Sequence, residues 1–231
     1  MKTLLINGSP KGERSDTMHL TKAFLEGAKL TDVEVIDISK LNVRGCMGCY
    51  TCWTKTPGKC VIKDEMADIL PKFISAKVII WSFPLYACHF PGQMKCFMDR
   101  MLPLSMPEMD TGHESGNHPT RFDMSAIKGA YISTCGFWTA RGNYDSIISL
   151  LERNGGNHAD FTIFSGQGAL FGEADSDPEL KQLVESYLNL VRRAGEELMN
   201  GKISEETHVA LCRPLLPKEI YESFANTSWD E

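Results

Sequence analysis

The sequence predicts a doubly wound α/β domain, a parallel sheet covered by helices on both faces. Three observations predict it. Short runs such as Leu4-Leu5-Ile6 and Val78-Ile79-Ile80-Trp81 are apolar at consecutive positions, the mark of strands buried on both faces. Longer stretches of helical period separate these runs, so strands alternate with helices. The first run ends in Asn7-Gly8-Ser9-Pro10, a small polar turn between a strand and a helix.

Taken in order, Leu4-Leu5-Ile6 is the first strand, and a helix over residues 17–29 follows the turn. Residues 33–38 alternate as a second strand. Asp64 is placed to cap a helix reaching residue 75, ahead of the third strand at 78–81. A helix over 91–100 opens on Pro91, which the first helical turn accepts. Ala130-Tyr131-Ile132 is the fourth strand, 144–153 a helix, and 161–164 the fifth strand. A long helix spans 178–199, with Asp177 as N-cap and Gly201 as C-cap.

These elements make residues 1–200 one domain. Residues 201–231 form a C-terminal extension with Pro214, Pro217 and a short helical piece near 218–224. Its Leu211, Leu215, Leu216, Ile220, Tyr221, Phe224 and Trp229 are apolar enough to read as a packing arm on this subunit or a neighbour. Residues 101–128 carry prolines and no period; a stretch of that length in a compact domain is functional or disordered. Either segment would contribute to a homodimer or higher homo-oligomer.

Composition excludes several classes. A chain of 231 residues buries roughly 70–75% of its extended surface, so its core needs no disulfides. The net charge of −6 and scattered lysines and arginines argue against nucleic acid or an anionic membrane as partner. Eight cysteines, half of them within fifteen residues, are too clustered for a disulfide scaffold. No run nears the ~20 apolar residues of a membrane span, and Met1-Lys2-Thr3 opens no signal peptide. The expected location is the cytoplasm.

The cysteines carry the strongest chemical signal. Cys46, Cys49 and Cys52 form a C-x2-C-x2-C run, and Cys60 follows seven residues on. Such spacing lets one loop turn several thiolates toward a soft metal centre, and a [4Fe–4S] cluster fits it. Zinc loops pair two C-x2-C knuckles across a longer spacer and fit less well. The alternative is a glycine-containing turn whose reduced thiols bind nothing.

Ligands of open α/β sheets bind beyond the carboxyl ends of the strands. Three strand ends are unusual here. After the first strand, Ser9, Lys11, Ser15 and Thr17 bring hydroxyls, an ammonium and helix-start N–H groups that can wrap a phosphate. A plain helix-capping loop is the alternative, and the stretch matches neither G-x-x-x-x-G-K-[ST] nor G-x-G-x-x-G. After the third strand come Pro84-Leu85-Tyr86-Ala87, and after the fourth Thr134-Cys135-Gly136, then Phe137-Trp138. Loops of this kind sandwich a flat heterocycle between rings and offer N–H groups to its edge.

These residues together resemble a known family. Gly8-Ser9-Pro10 with Ser15 and Thr17, the cysteine run with Gly58-Lys59-Cys60-Val61-Ile62-Lys63-Asp64, Pro84-Leu85-Tyr86, and Gly92-Gln93-Met94-Lys95 continuing to Phe97-Met98-Asp99-Arg100 are similar to the flavodoxin-fold NAD(P)H-dependent FMN reductases and iron–sulfur flavoproteins. The resemblance covers roughly residues 1–200. It implies a flavodoxin-like five-stranded sheet in the order 2-1-3-4-5 with noncovalent FMN. In that reading Ser9, Lys11, Ser15 and Thr17 hold the phosphate. Pro84, Leu85, Tyr86, Ala87, Thr134, Cys135 and Gly136 hold the ring, and Cys46, Cys49, Cys52 and Cys60 hold a [4Fe–4S] cluster. Asp16 stands where the family usually has Asn, and a carboxylate there is unfavourable to a phosphate unless turned away.

The implied activity is an FMN-dependent oxidoreductase that takes hydride from NAD(P)H and reduces a small acceptor such as a quinone, flavin or nitro compound. Through the cluster, electrons would pass singly to a redox partner. The other implied reading is a flavodoxin-type electron carrier with no small-molecule turnover. Cys88, Cys96, Cys135 and Cys212 read as small buried hydrophobes. His89 is a surface or capping residue, and His113 and His118 are solvated. Trp53 and Trp138 either cover the flavin or pack in the core.

Overall fold

Strands form where the chain is apolar on both faces, and the burial pattern follows. The computed structural model describes residues 1–110, 112, 114, 116–153 and 161–227. His113 and Trp229 lie outside the described residues. Strands β1 (Thr3–Asn7), β2 (Val33–Asp37), β3 (Val78–Pro84), β4 (Lys128–Thr134) and β5 (Phe161–Ser165) form one all-parallel sheet in the order β2-β1-β3-β4-β5. This is the expected flavodoxin-like arrangement, with its order reversing between β1 and β3.

Alternate residues of each strand feed two cores. Leu4, Ile6, Ile79, Trp81 and Tyr131 face one side, with α2 (Met66–Ser75), α3 (Gly92–Asp99) and α4 (Asp145–Arg153). Leu5, Val78, Ile80, Ala130 and Ile132 face the other, with α1 (Asp16–Gly27) and α6 (Pro178–Met199). The backbones of α1 and α6 touch where they cross. A methyl group at Gly27 would overlap the Arg192 carbonyl, and one at Gly195 the Phe24 carbonyl. Only glycine permits so close an approach.

Register decides which residues reach the ligand edge. Asn7 pairs with Ser82, and Pro84 pairs with Thr134. Strand β3 runs three residues beyond its apolar stretch because the polar Ser82 is buried and its hydroxyl accepts from Thr21 Oγ1 at 2.8 Å. Asp177 caps α6 as expected, accepting from the N–H groups of Glu179 and Leu180. The C-cap is Asn200, not Gly201, which follows it with φ 137°.

Two segments differ from expectation. Residues 101–128 are not structureless: after a 3-10 turn at Leu102–Leu104 the chain folds back on itself. Bridges join Ser105 to Thr120 and Asp110 to Asn117, and Arg121 N–H donates to the Leu104 carbonyl at 2.7 Å. The extension contains an unexpected short helix, α7 (Glu205–Leu211), as well as α8 (Lys218–Thr227), and a one-turn helix, α5 (Ala169–Gly172), also went unread. The extension packs on this chain's own core. Leu215 and Leu216 N–H groups donate to Gln167 Oε1 at 2.9 Å each, and Trp138 Nε1 donates to the Leu216 carbonyl at 2.9 Å.

Candidate functional site

The loops after β1, β3 and β4 meet at one edge of the sheet. Behind β1, Ser9 N–H donates to Asn7 Oδ1 and Gly12 N–H to the Ser9 carbonyl, closing a tight turn around Gly12 at φ 59°. Gly8 is glycine because a methyl group there would come within 2.6 Å of Met94 Sδ in α3. Ser9, Ser15 and Thr17 are buried, while Lys11 is exposed and pairs with Asp16 at 3.7 Å.

Two buried polar atoms here have no partner, Ser15 Oγ and Asn7 Nδ2. An orphaned buried hydroxyl costs about 1–3 kcal/mol, so a ligand oxygen that accepts from it recovers that loss. Thr17 Oγ1 and Thr134 Oγ1 lie 2.6 Å apart and bond the first loop to the third. One of the two hydroxyls donates in that bond, which leaves the other O–H free for a ligand. Asp16 turns toward Gly172 of α5 and toward Lys11; burial raises its affinity for a proton, against the pull of Lys11.

The β3 loop is a tight reversal. Tyr86 and His89 exchange both backbone hydrogen bonds, and the two residues between them, Ala87 and Cys88, have φ of 48° and 56°. Neither is glycine, so the turn is strained, as turns over ligands often are. Ser146 Oγ donates to the Cys88 carbonyl and anchors it. The N–H groups of Ala87, Cys88 and Gly136 make no hydrogen bond among the described residues. Tyr86 and Phe137 present exposed rings beside them, 48% and 56% accessible. These are the donors and aromatic faces that a flat polar-edged ring needs.

Other expected residues serve differently. Leu85 N–H is taken by the Thr134 carbonyl at 2.9 Å. Cys135 has its N–H on Ser165, its carbonyl on Gly168 and its thiol beside the Thr139 carbonyl, and burial pushes that thiol up. Its part is to hold the loop. Trp138 packs on the C-terminal extension, and Tyr221 Oη donates to the Gly136 carbonyl at 2.8 Å. A cleft of about 590 Å³ beside β5 is lined by Trp138 but by none of the residues expected to hold the phosphate or the ring.

The cysteine loop stands beyond β2. Glycines at 48 and 58, with φ of 63° and 79°, and Tyr50 at 52° let it curl. Cys46, Cys49, Cys52 and Cys60 all line one small cavity of about 20 Å³. Burial pushes the Cys52 thiol up, and Cys60, Cys46 and Cys49 add to the rise. Cys49 is lowered by hydrogen bonding from Thr51. Among the described residues no group of three His, Cys, Asp or Glu is arranged to hold a metal ion. A single zinc draws its thiolates to about 2.3 Å from one point. A cubane binds each cysteine through a different iron, so its ligands ring a space rather than converge. Four thiols on one cavity are the donor chemistry such a cluster takes.

Arg100 and Asp64 lock this loop, and the sequence did not mark them as partners. The Arg100 side chain is 0% exposed and lines the same cavity. Its Nη1 donates to Asp64 Oδ2 at 2.6 Å and to the Arg44 carbonyl at 2.7 Å, and its Nη2 to Asp64 Oδ1 at 2.9 Å. Burial would raise the Asp64 carboxyl, yet Arg100 and the Arg44 N–H hold it below its usual range. Asp64 also accepts from Met66 N–H, capping α2 from one residue further out than Glu65, which occupies the N-cap. His118 is not solvated: its ring sits 4.8 Å from that of Trp53, whose Nε1 donates to the Leu102 carbonyl. His118 and Arg121 thus contact Trp53 and Gly58 of the cysteine loop, whose Cys46 and Cys49 stay exposed.

Residues 1–111 match a family described as having a flavodoxin-like fold. Among curated proteins, the chain is 29% identical over 155 residues to an iron–sulfur flavoprotein of Archaeoglobus fulgidus, covering 66% of this chain and 61% of that one. It is 35% identical over 107 residues to an iron–sulfur flavoprotein of Methanosarcina thermophila, 45% of this chain and 54% of the other. The chain thus spans less than two thirds of these relatives' length. Among solved structures, an FMN-dependent NADH-azoreductase from Bacillus anthracis superposes with TM-score 0.61 at 19% identity, over 87% of this chain and 100% of that one. An NAD(P)H:quinone oxidoreductase from Methanothermobacter marburgensis gives 0.57 at 18%, over 86% and 98%. At these identities the structures speak for the fold.

Proposed function

We propose that this chain binds FMN at the β1, β3 and β4 loops and works as an NAD(P)H-dependent oxidoreductase toward a small acceptor such as a quinone, flavin or nitro compound. The observation that carries the proposal is the buried, unpartnered Ser15 hydroxyl at the head of α1, on the loop that Thr17 bonds to Thr134 of β4. The names of the curated relatives and of the superposed reductases support it. FMN, when bound, accepts two electrons as hydride and returns them together or singly.

Every other part falls to the protein. Ser9, Lys11, Ser15 and Thr17 hold the phosphate, with Lys11 released from Asp16 to neutralise its charge. Pro84, Leu85, Tyr86 and Ala87 on one side and Thr134, Cys135 and Gly136 on the other form the walls of the ring site. Tyr86 and Phe137 exclude water, and the Ala87 and Cys88 N–H groups orient the polar edge. Cys46, Cys49, Cys52 and Cys60 hold a [4Fe–4S] cluster, which adds one-electron exchange with a redox partner. Thiols that must stay reduced to hold such a cluster suit a cytoplasmic site of action.

Composition of the purified protein tests both cofactors separately. Anaerobically prepared chain should release one FMN on denaturation and contain about four irons. Cys49→Ala should lose the iron and keep the FMN, because the two sets of loops are distinct. Folded protein that takes up no FMN would remove the reductase reading. FMN without iron would leave a two-electron reductase with a structural cysteine loop.

A further inference from the structure

We infer that Arg100 is a positioning and tuning residue for the cysteine-bound cluster: its buried Nε–H donates to a sulfur of that cluster or of Cys60, and so raises the cluster's reduction potential. The inference rests on the cluster reading above.

Three observations meet at this side chain. Arg100 forms part of the wall of the cavity ringed by Cys46, Cys49, Cys52 and Cys60. Both hydrogens of Nη1 and one of Nη2 are committed, to the two oxygens of Asp64 and to the Arg44 carbonyl, which leaves the edge that carries Nε–H and the second Nη2–H. Its Nε is buried and makes no hydrogen bond.

The fork geometry explains why Nε must serve the cavity. Asp64 grips the guanidinium bidentately and removes its freedom to rotate, so the remaining edge of the plane is fixed in direction. A charged donor left unmet in a dry wall is costly, whereas sulfur ligands of a cluster are acceptors that gain from it. A residue needed only to lock the loop would have its inner edge satisfied as well.

The redox consequence follows from charge. One electron enters from the reduced flavin or a mediator, no bond is made or broken, and the cluster with its four thiolates becomes one unit more negative. A hydrogen bond to sulfur stabilises that more negative state more than the oxidised one. Asp64 cancels the formal charge of Arg100, so the influence acts at short range, through the N–H dipole. Its expected size is therefore about tenfold in the ratio of reduced to oxidised cluster, equivalent to 59 mV for a one-electron couple.

The test uses the full chain loaded anaerobically with iron and sulfide. Arg100→Lys keeps a cation opposite Asp64, avoiding an uncompensated buried carboxylate, but removes the Nε–H. Iron and FMN content are measured first, then the cluster midpoint by an EPR-monitored redox titration. The expected result is unchanged FMN and a midpoint about 59 mV lower in R100K. A second measurement needs no variant: wild type grown with arginine carrying the heavy nitrogen isotope at Nε should show hyperfine coupling to the reduced cluster by pulsed EPR. A loaded wild type without that coupling, or a loaded R100K with the wild-type midpoint, overturns the inference and leaves the cluster reading standing. A wild type that binds no iron overturns both.

Discussion

Ser15 shows how a single residue reports a missing partner. In sequence it read as one of several hydroxyls near a helix start, and a capping role was the competing reading. The structure has it at the N-cap of α1 with no side-chain cap bond and its Oγ unpartnered. That combination distinguishes the two readings. If the hydroxyl serves a ligand, Ser15→Ala should leave the ligand-free protein as stable as wild type or about 1 kcal/mol more stable, because an orphan is removed. The same change should weaken FMN binding about tenfold, close to 1.4 kcal/mol. Thermal melts with and without FMN, beside a fluorescence titration, check both signs. A loss of stability in the free protein would return Ser15 to a capping role. The pairing of Arg100 with Asp64 was beyond reach at this scale, since the partners lie 36 residues apart and no local period connects them.

At the scale of elements, legibility followed the hydrophobic period. Helix α6 was readable because its apolar stripe, Asp177 cap and Pro178 agree with one another. Strands β3 and β4 were read short because Ser82, Ser133 and Thr134 near their ends are polar, and each is buried with its hydroxyl in a side-chain hydrogen bond. Helix α7 was missed because Glu205-Glu206-Thr207-His208 carries no apolar period, and what docks it is a carboxylate. Glu197 of α6 accepts from the Ser204 N–H and hydroxyl, from Thr207 Oγ1 and from Arg193. Burial works to raise this carboxyl, but those hydrogen bonds hold it down to about 2, against 4.5 for a free glutamate. A depressed carboxylate contributes stability that is complete above its unfolded value. The docking of α7 should therefore weaken as pH falls from 4.5 toward about 2. Glu197→Gln should lower stability by about 2 kcal/mol at neutral pH and flatten the acid limb over that window, measured by urea unfolding at a series of pH values. An acid limb identical to wild type would show that Glu197 does not dock the extension.

Across the whole molecule, the alternation of strands and helices made the architecture legible, while the assembly of the site depended on register and on loops folding over one another. The sheet brings the ends of β1, β3 and β4 side by side, and the C-terminal extension fastens the last of these loops through Tyr221 and Gly136. Among the described residues of 101–128, which carry no period in sequence, His118 contacts Trp53 and Arg121 approaches Gly58 of the cysteine loop. No described helix is long and apolar enough to cross a membrane. The loops after β1, β3 and β4 and the thiol-lined cavity lie on one chain, and the proposed function has reducing equivalents enter at those loops from a nicotinamide. Anaerobic stopped-flow mixing of the FMN-loaded protein with NADH and with NADPH tests that claim most directly. The account predicts that at least one of them bleaches the flavin absorbance within the dead time or the first seconds, at a rate that rises with nicotinamide concentration. Flavin that stays oxidised with both, in protein whose bound FMN is reduced by dithionite, would contradict it and leave an electron carrier in its place.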